Sequence, residues 1–247
     1  MDKMMYLAAQ YLAAAGKSFV EHKPDDSHTN LSLSTEHKSL VTRELGENGD
    51  RLLLSYEHFS LKWISRDGIE ITHLHNTRHA ENVKWLNEVS QQRIGKSYVF
   101  DLHYDLGYDL HEEFKFELEN KEELKDLYQR RVMANNVLTS FLSRHSLRSE
   151  IRIWPHHFDT GAFVTDVGIQ KLSIGLGMAI PDSMSEHYYF YLSGYNGRDG
   201  IDTSSFEQLT RGSWKNEGFK GAILPIAEMK EKDAVQFLDE AMKAYIN

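Results

Sequence analysis

The chain has 247 residues, a formal net charge of −9 and no cysteine, and 40% of its residues are hydrophobic. This composition is typical of a globular protein and excludes collagen-like, coiled-coil and disordered chains. The lack of cysteine excludes disulfides, thiolate nucleophiles and cysteine-ligated metal clusters. It also fits a reducing compartment, so we expect a cytoplasmic location.

Two classes of partner are not expected. Acidic residues outnumber basic ones, and the sequence contains no basic stripe of the kind that binds nucleic acid. No uninterrupted apolar run approaches the roughly 20 residues that a membrane-spanning helix needs. The sequence leaves a small-molecule ligand as the expected partner and says nothing about the oligomeric state.

The N-terminal segment is predicted to be an amphipathic helix. Met4–Gly16 is apolar and follows Lys3, which loosely resembles a signal peptide, but Asp2, Gln10 and two tyrosines interrupt the stretch. We favour the helix because the apolar side chains recur at helical spacing. They are Met4, Leu7, Ala8, Tyr11, Leu12, Ala15 and Phe19.

The rest of the first third is predicted to form an antiparallel meander. Short strands are expected within Leu31–Leu45, Arg51–Ile64 and Ile69–Leu74. Turn signals separate them at Glu47–Asp50 and Arg66–Gly68.

Helices follow the meander, and strands dominate the last third. Helices are predicted over Thr77–Arg93 and from about Lys121 to Arg144. The stretch Asp101–Asp126 begins between these helices and has ten acids against three lysines. We favour a solvated loop and helix start over the alternative, a surface that binds a cation or a basic partner. The expected strands are Glu150–Trp154, Gly161–Val167, Lys171–Met178, His187–Leu192 and Gly221–Leu224, and a last helix has an apolar face from Ala234 to Tyr245.

The order of these elements predicts an α+β fold. Strands and helices do not alternate regularly, which favours a largely antiparallel sheet packed by N-terminal, central and C-terminal helices. No linker interrupts the sequence, so we expect residues 1–247 to form a single domain in which the first and last helices pack on one sheet.

The strongest cluster of chemically active side chains is Trp154-Pro155-His156-His157-Phe158-Asp159. If this segment is extended, Trp154, His156 and Phe158 share one face, and His157 and Asp159 share the other. His157 and Asp159 could then bind a metal ion, or Asp159 could orient His157 as a base. A purely structural hydrogen-bonded role for these groups remains open. The catalytic candidates are therefore His156, His157 and Asp159.

The segment Ile151–Asp159, with the letters IRIWPHHFD, resembles the signature of a bacterial family of unknown function. Three further stretches agree: Asp25–Leu31, Ser173–Phe190, and Gly212–Pro225, whose letters include WKNEGFKGAILP. Lys215 follows Trp214 where the resemblance implies a histidine. The resemblance implies a common fold and site but no reaction.

Other polar groups are candidates for ligand binding. Asp26, His28 and Asn30 belong to a string that is typical of a turn but could also ligate a divalent ion. Glu186 and Tyr189 lie at the start of a predicted strand, with Trp214 further along the chain. The candidate metal ligands are His157, Asp159 and His187, and a divalent metal is the one cofactor considered. Gly175 and Gly177 lack the spacing of a dinucleotide-binding loop and are expected to allow close strand packing or a bulge.

These features support two functional hypotheses. The first is a small-molecule-binding protein with a His/Asp-centred pocket, for which catalysis is an open question. The alternative is a metal-dependent hydrolase, in which a metal-bound water would become a nucleophile near neutral pH.

Overall fold

The computed structural model describes residues 1–226 and 229–246. The chain divides into two compact units. The first comprises Met1–Val132 and Ile153–His156, and the second comprises Met133–Arg152 and His157–Asn247. The α+β class is confirmed, because each unit combines helices with a largely antiparallel sheet.

The first unit contains the predicted meander. Its five strands pair in chain order, each antiparallel to the next. They are β1 (Ser32–Ser34), β2 (Ser39–Val41), β3 (Arg51–Ser55), β4 (Ser60–Ser65) and β5 (Gly68–His73). Turns of two to four residues connect the strands except between β2 and β3, where residues 42–50 form a longer connection. Hydrophobic alternation and turn chemistry were sufficient to predict this part.

The first helix, α1 (Asp2–Phe19), is confirmed as a helix but is not amphipathic. Every residue from Met5 to Gly16 is buried, including Gln10. The helix packs on β3. A helix that is buried all round lies inside a core rather than on its surface, so the single apolar stripe was too narrow an expectation.

In the sequence, two further helices follow the strands of the first sheet and precede those of the second. Helix α2 (His79–Ile94) contacts β5 and ends at Gly95, whose φ of 65° is the left-handed conformation that glycine adopts readily. Helix α3 (Lys121–Arg144) has the predicted bounds, and Leu138 and Phe141 are fully buried as expected. The segment between α2 and α3 is mostly irregular and its acidic side chains are exposed, in agreement with a solvated loop.

The second unit is built on another antiparallel sheet. Its strands are β7 (Asp159–Val167), β8 (Leu172–Ala179), β9 (Tyr189–Asn196), β10 (Asp199–Gly200), β11 (Ser213–Lys215) and β12 (Gly221–Pro225). The strand order is β11-β12-β9-β8-β7, and β10 pairs with β9. Two of these strands, β10 and β11, were not predicted. The short strand β6 (Arg152–Trp154) precedes them along the chain.

The last helix, α4 (Glu231–Ile246), packs on β9 and β12, and its buried face includes Ala234, Leu238 and Tyr245 as predicted. The expectation that the first and last helices share one sheet is wrong. Each sheet buries its apolar face under its own helix, α1 on the first sheet and α4 on the second. None of the helices in the described ranges combines the length and apolarity needed to cross a membrane.

Candidate functional site

The segment Asp25–Asn30 folds as a compact turn in the first unit. The Ser27 N–H donates to the Asp25 carboxylate at 3.1 Å, and the Thr29 N–H donates to the Asp26 carbonyl at 3.0 Å. Asp26 has a φ of 55°, which an aspartate tolerates better than most residues. The turn buries His28 and Asn30, with 2% and 4% exposure, while Asp26 stays partly exposed.

A backbone bridge places this turn beside the Trp154–His156 segment. Leu31 and Ile153 exchange both of their backbone hydrogen bonds at 2.9 Å. Leu31 directly follows the turn, and Ile153 directly precedes Trp154. Two polar motifs that are distant in sequence therefore lie side by side in the first unit.

Rings fill the space from one motif to the other. We call this set the imidazole row; it consists of His22, His28, His103, Tyr104 and His156. In that order, neighbouring ring centroids lie 5.1, 6.4, 4.7 and 5.5 Å apart. Trp154 extends the row, because its ring centroid lies 6.3 Å from that of His156.

The Asp26 carboxylate lies between two imidazoles of the row. Its oxygens are 3.6 Å from His22 Nε2 and 3.7 Å from His103 Nε2. The side chains of His22, Asp26 and His103 are 74%, 40% and 24% exposed, so this part of the row meets solvent. The carboxylate can accept hydrogen bonds, and each imidazole can donate or accept according to its protonation.

His28 is the buried member of the row. Burial, and then the neighbouring His22, lower the pKa of His28 below its ordinary value of 6.5, so its imidazole is neutral at neutral pH. Its Nδ1 accepts the Lys23 N–H at 3.3 Å, which leaves the proton on Nε2. His28 is therefore held in one tautomer by the turn that carries it.

Gln10 of α1 fixes the far end of the row. Its side-chain amide donates to the carbonyls of Tyr6 and Pro155 at 2.9 and 3.1 Å, and its carbonyl accepts the Tyr104 hydroxyl at 2.5 Å. The Tyr6 hydroxyl donates to the His156 carbonyl at 3.4 Å. Burial raises the pKa of Tyr104, so its hydroxyl remains a donor. The buried polar residue of α1 is thus explained: it positions Tyr104 and the backbone beside His156.

The conformation predicted for Trp154–Asp159 is wrong. Residues 155–158 form a turn, and Phe158 adopts a left-handed φ of 55°. Side chains in a turn do not alternate in direction, so the expected sharing of faces does not apply. His156 is half-buried within the row of the first unit, whereas His157 is exposed and belongs to the second unit with the buried Asp159.

In the second unit, Asp159 accepts a short hydrogen bond from the Tyr191 hydroxyl. Burial, and then the Asp159 carboxylate, raise the pKa of Tyr191 far above its usual range. The phenol therefore stays protonated at neutral pH and donates to the carboxylate. One oxygen of Asp159 is committed to this pairing.

Glycines make room for the Tyr191 ring. Gly161, Gly177 and Tyr191 are cross-strand neighbours on β7, β8 and β9. A Cβ atom on Gly177 would lie 2.5 Å from the Thr160 carbonyl oxygen and 2.6 Å from the Tyr191 hydroxyl oxygen. The prediction that Gly177 allows close strand packing is confirmed.

Strand β9 carries a second tyrosine, Tyr189, that pairs with a carboxylate. The Tyr189 hydroxyl donates to Asp182 at 2.7 Å, and burial raises the pKa of Tyr189. Glu186 and His187 are exposed and precede β9 rather than beginning it. Among the candidates of the second unit, Tyr189 is thus engaged with Asp182, whereas Glu186 and His187 face solvent.

Trp214 borders an open depression of about 440 Å³, together with Ser183, Met184 and Asn216. The indole N–H donates to the Glu207 carbonyl at 2.9 Å, and its ring packs edge-on against Phe206 and Tyr245. Trp214 is therefore mainly a packing residue that presents one edge to this depression.

The described part of the chain contains no group of three or more His, Cys, Asp or Glu side chains that could hold a metal ion. The metal site at His157, Asp159 and His187 gains no support from these residues and stays a prediction. The same holds for catalysis by His156, His157 and Asp159.

Three members of the imidazole row were not identified from the sequence. His22 precedes the polar turn, and His103 and Tyr104 lie in the acidic stretch that was interpreted as a solvated loop. Their only sequence signal is residue type, since a histidine next to a tyrosine carries no periodicity or spacing.

Comparison of the chain with protein-family models, with curated proteins and with solved structures finds no match.

Proposed function

We propose that the protein binds a small polar molecule at the imidazole row. The observation that carries this proposal is the Leu31–Ile153 bridge, which sets the Asp25–Asn30 turn beside Trp154–His156. Asp26, His28 and His156 were selected as site residues from the sequence alone. His28 and His156 belong to one contiguous set of rings, and Asp26 lies beside two rings of that set. The bound molecule is a ligand of this set, and no reaction is assigned to it.

The chemistry of the row favours a ligand that both donates and accepts hydrogen bonds. Asp26 supplies a partly exposed acceptor, and His22 and His103 supply groups that donate when protonated. Burial lowers the pKa of His28 and raises the pKa of Tyr104, so both side chains are neutral at neutral pH. Flat rings beside a carboxylate suit polyols, amino alcohols and similar compounds, which combine hydroxyl groups with a small apolar face.

The test is a thermal-shift screen of polyols, amino alcohols and amino acids against the wild-type protein and Asp26→Asn. We expect one or more compounds to raise the melting temperature of the wild type and to lose that effect in the variant. A hit should also move the side-chain NMR signals of histidines in the row.

The matched control is Asp166→Asn. Asp166 is exposed in the second unit and has a φ of 58°, close to the 55° of Asp26, so both sites tolerate asparagine equally. Compounds that stabilise the wild type, Asp166→Asn and Asp26→Asn to the same extent would show that the ligand lies elsewhere. A screen without any hit would contradict the proposal for these compound classes.

A further inference from the structure

Strand β5 forms one edge of the sheet in the first unit, since the strand order ends at Gly68–His73. One face of β5 meets solvent and is apolar, because Ile69 and Ile71 on this face are 59% and 51% exposed. The unpaired backbone of an edge strand can pair with a strand of another chain, and exposed apolar side chains favour that pairing. Exposed isoleucines on an edge strand are therefore unusual.

The hydrogen-bond pattern shows which backbone groups lie on this edge. The Leu74 N–H donates to the Phe59 carbonyl at 3.0 Å, which makes residues 59 and 74 a hydrogen-bonded pair. Such pairs alternate along an antiparallel ladder, so Thr72 and Glu70 also bond to β4. Ile69, Ile71 and His73 therefore direct their N–H and C=O groups outward, where no bond joins them to a described residue.

The usual protection of an edge is missing from β5. Its register with β4 is continuous, without a bulge, and its sequence GIEITH has no proline or lysine. Its one carboxylate, Glu70, lies on the opposite face and pairs with Arg93 at 2.7 Å. Within the described residues, we find no bulge, proline or lysine on the free edge of β5 that would discourage pairing with another strand.

We propose that β5 pairs antiparallel with β5 of a second copy of this chain, so that the protein is a two-fold symmetric dimer with one continuous sheet. The symmetric register is centred on Ile71, which then faces Ile71 of the partner subunit. Ile69 faces His73 of the partner subunit, and Glu70 faces Thr72 of the partner subunit. All five residues from Ile69 to His73 are paired.

Charge and polarity select this register. Centring the pairing on Glu70 would set two glutamates directly opposite each other, which is destabilising. Centring it on Ile69 would set Ile71 opposite Asp67 of the partner subunit. With Ile71 at the centre, Asp67 instead approaches His75 of the partner subunit. The Nδ1 atom of His75 accepts the Leu118 N–H at 2.9 Å within its own chain, which leaves Nε2 for the carboxylate.

The absence of cysteine from the chain allows a direct test with single-cysteine variants. In the proposed register, Ile71→Cys places two cysteines in a hydrogen-bonded pair with a Cα separation of about 5.5 Å, which a disulfide can span. Ile69→Cys places them four residues out of register, about 13 Å apart along the strand. Mild oxidation should crosslink Ile71→Cys rapidly and Ile69→Cys much more slowly. Equal crosslinking of both variants would overturn the proposal.

Sedimentation velocity tests the dimer without crosslinking. Wild-type protein should sediment with twice the 28.6 kDa mass of one chain. Ile71→Lys should raise the dissociation constant of the dimer at least tenfold. Ile169→Lys is the control, because Ile169 is fully exposed in a turn of the second unit. Circular dichroism should show that both variants are folded. A wild-type monomer at the concentration used for crosslinking, or a dimer that Ile71→Lys does not weaken, would overturn the proposal.

Discussion

The two units hold their carboxylates in different ways. In the first unit, Asp26 lies between the imidazoles of His22 and His103 and is partly exposed. In the second unit, Asp159 and Asp182 each accept a hydrogen bond from a tyrosine whose pKa is raised. An imidazole changes its charge within the physiological pH range, whereas a phenol with a raised pKa does not.

This difference separates an adjustable site from a fixed scaffold. The side chains of His22, Asp26 and His103 are partly exposed, so solvent, ions and ligands can reach them. The Tyr191–Asp159 pair is confined by Gly161 and Gly177, so its geometry is set by the sheet. The predictions below test this contrast and the relation between the two units.

The largest effect is expected for Leu138→Ala in α3. Leu138 is fully buried, so removing its side chain leaves a cavity and should lower the free energy of unfolding by about 2–5 kcal/mol. If residues 1–247 unfold as a single domain, tryptophan fluorescence should report the same lowered midpoint as circular dichroism. Trp63, Trp85 and Trp154 lie in the first unit, so this signal comes mainly from there.

The control is Gln129→Ala, at an exposed position on the same helix, which should change stability by less than about 0.5 kcal/mol. Two separate transitions, or limited proteolysis that releases two stable halves, would show that the single-domain prediction is wrong. An unchanged midpoint for Leu138→Ala would contradict the assignment of its buried face.

The second prediction concerns the scaffold of the second unit. Tyr191→Phe removes the donor to the buried Asp159 carboxylate and should lower the free energy of unfolding by about 1–3 kcal/mol. Urea unfolding measures the loss. Tyr108→Phe removes a hydroxyl from a ring that is 46% exposed and should cost almost nothing. If both substitutions cost the same, the Tyr191–Asp159 bond does not stabilise the fold.

Local patterns predicted much of the fold. The bounds of α3 follow from apolar periodicity and a capping signal, and the meander follows from short strands separated by turn residues. These features depend on interactions between residues that are close in the chain. The complete burial of α1 was not predictable in this way, because it depends on what the rest of the fold packs around the helix.

The site was predicted only in part, for a similar reason. His28 and His156 were selected because each lies in a dense polar motif. His103 became a member of the row through contacts with His28 and Asp26 across a long sequence separation, which spacing does not encode. His22 precedes the polar motif and contacts the same two residues locally. The turn at residues 155–158 was missed because it requires Phe158 in a left-handed conformation, which is uncommon for a bulky residue.

The third prediction concerns pH and a histidine buried in the first unit. The Tyr11 hydroxyl accepts a hydrogen bond from the Asn82 side chain at 3.3 Å and forms another with Nδ1 of His79 at 3.0 Å. Burial lowers the pKa of His79 from its ordinary value of 6.5. Below about pH 6.5 the unfolded chain gains a proton that the folded chain excludes. Stability should therefore fall as the pH is lowered from 7.

The measurement is the free energy of unfolding from pH 7.5 to 5 for the wild type, His79→Asn and His37→Asn. His79→Asn should be less stable throughout but should lose less stability on acidification, because one source of the pH dependence is gone. His37 is exposed in a turn, so His37→Asn is the control for the loss of an imidazole outside the buried region. A profile for His79→Asn parallel to that of the wild type would show that His79 titrates normally in the folded protein.

The smallest effect is expected for Asp26→Asn, and it tests the contrast between the units most directly. Partly exposed ion pairs contribute less than about 1 kcal/mol. Asparagine keeps the left-handed turn but removes the negative charge beside His22 and His103. The variant should therefore differ from the wild type by less than about 1 kcal/mol in the free energy of unfolding. A double-mutant cycle with His103→Gln should give a small coupling energy, and added salt should weaken it because these side chains meet solvent. Tyr191→Phe, by contrast, should cost the same at low and at high salt, because its partner Asp159 is buried. A coupling between Asp26 and His103 that does not vary with salt would mean that solvent does not reach this pair, and the imidazole row would then be as fixed as the scaffold of the second unit.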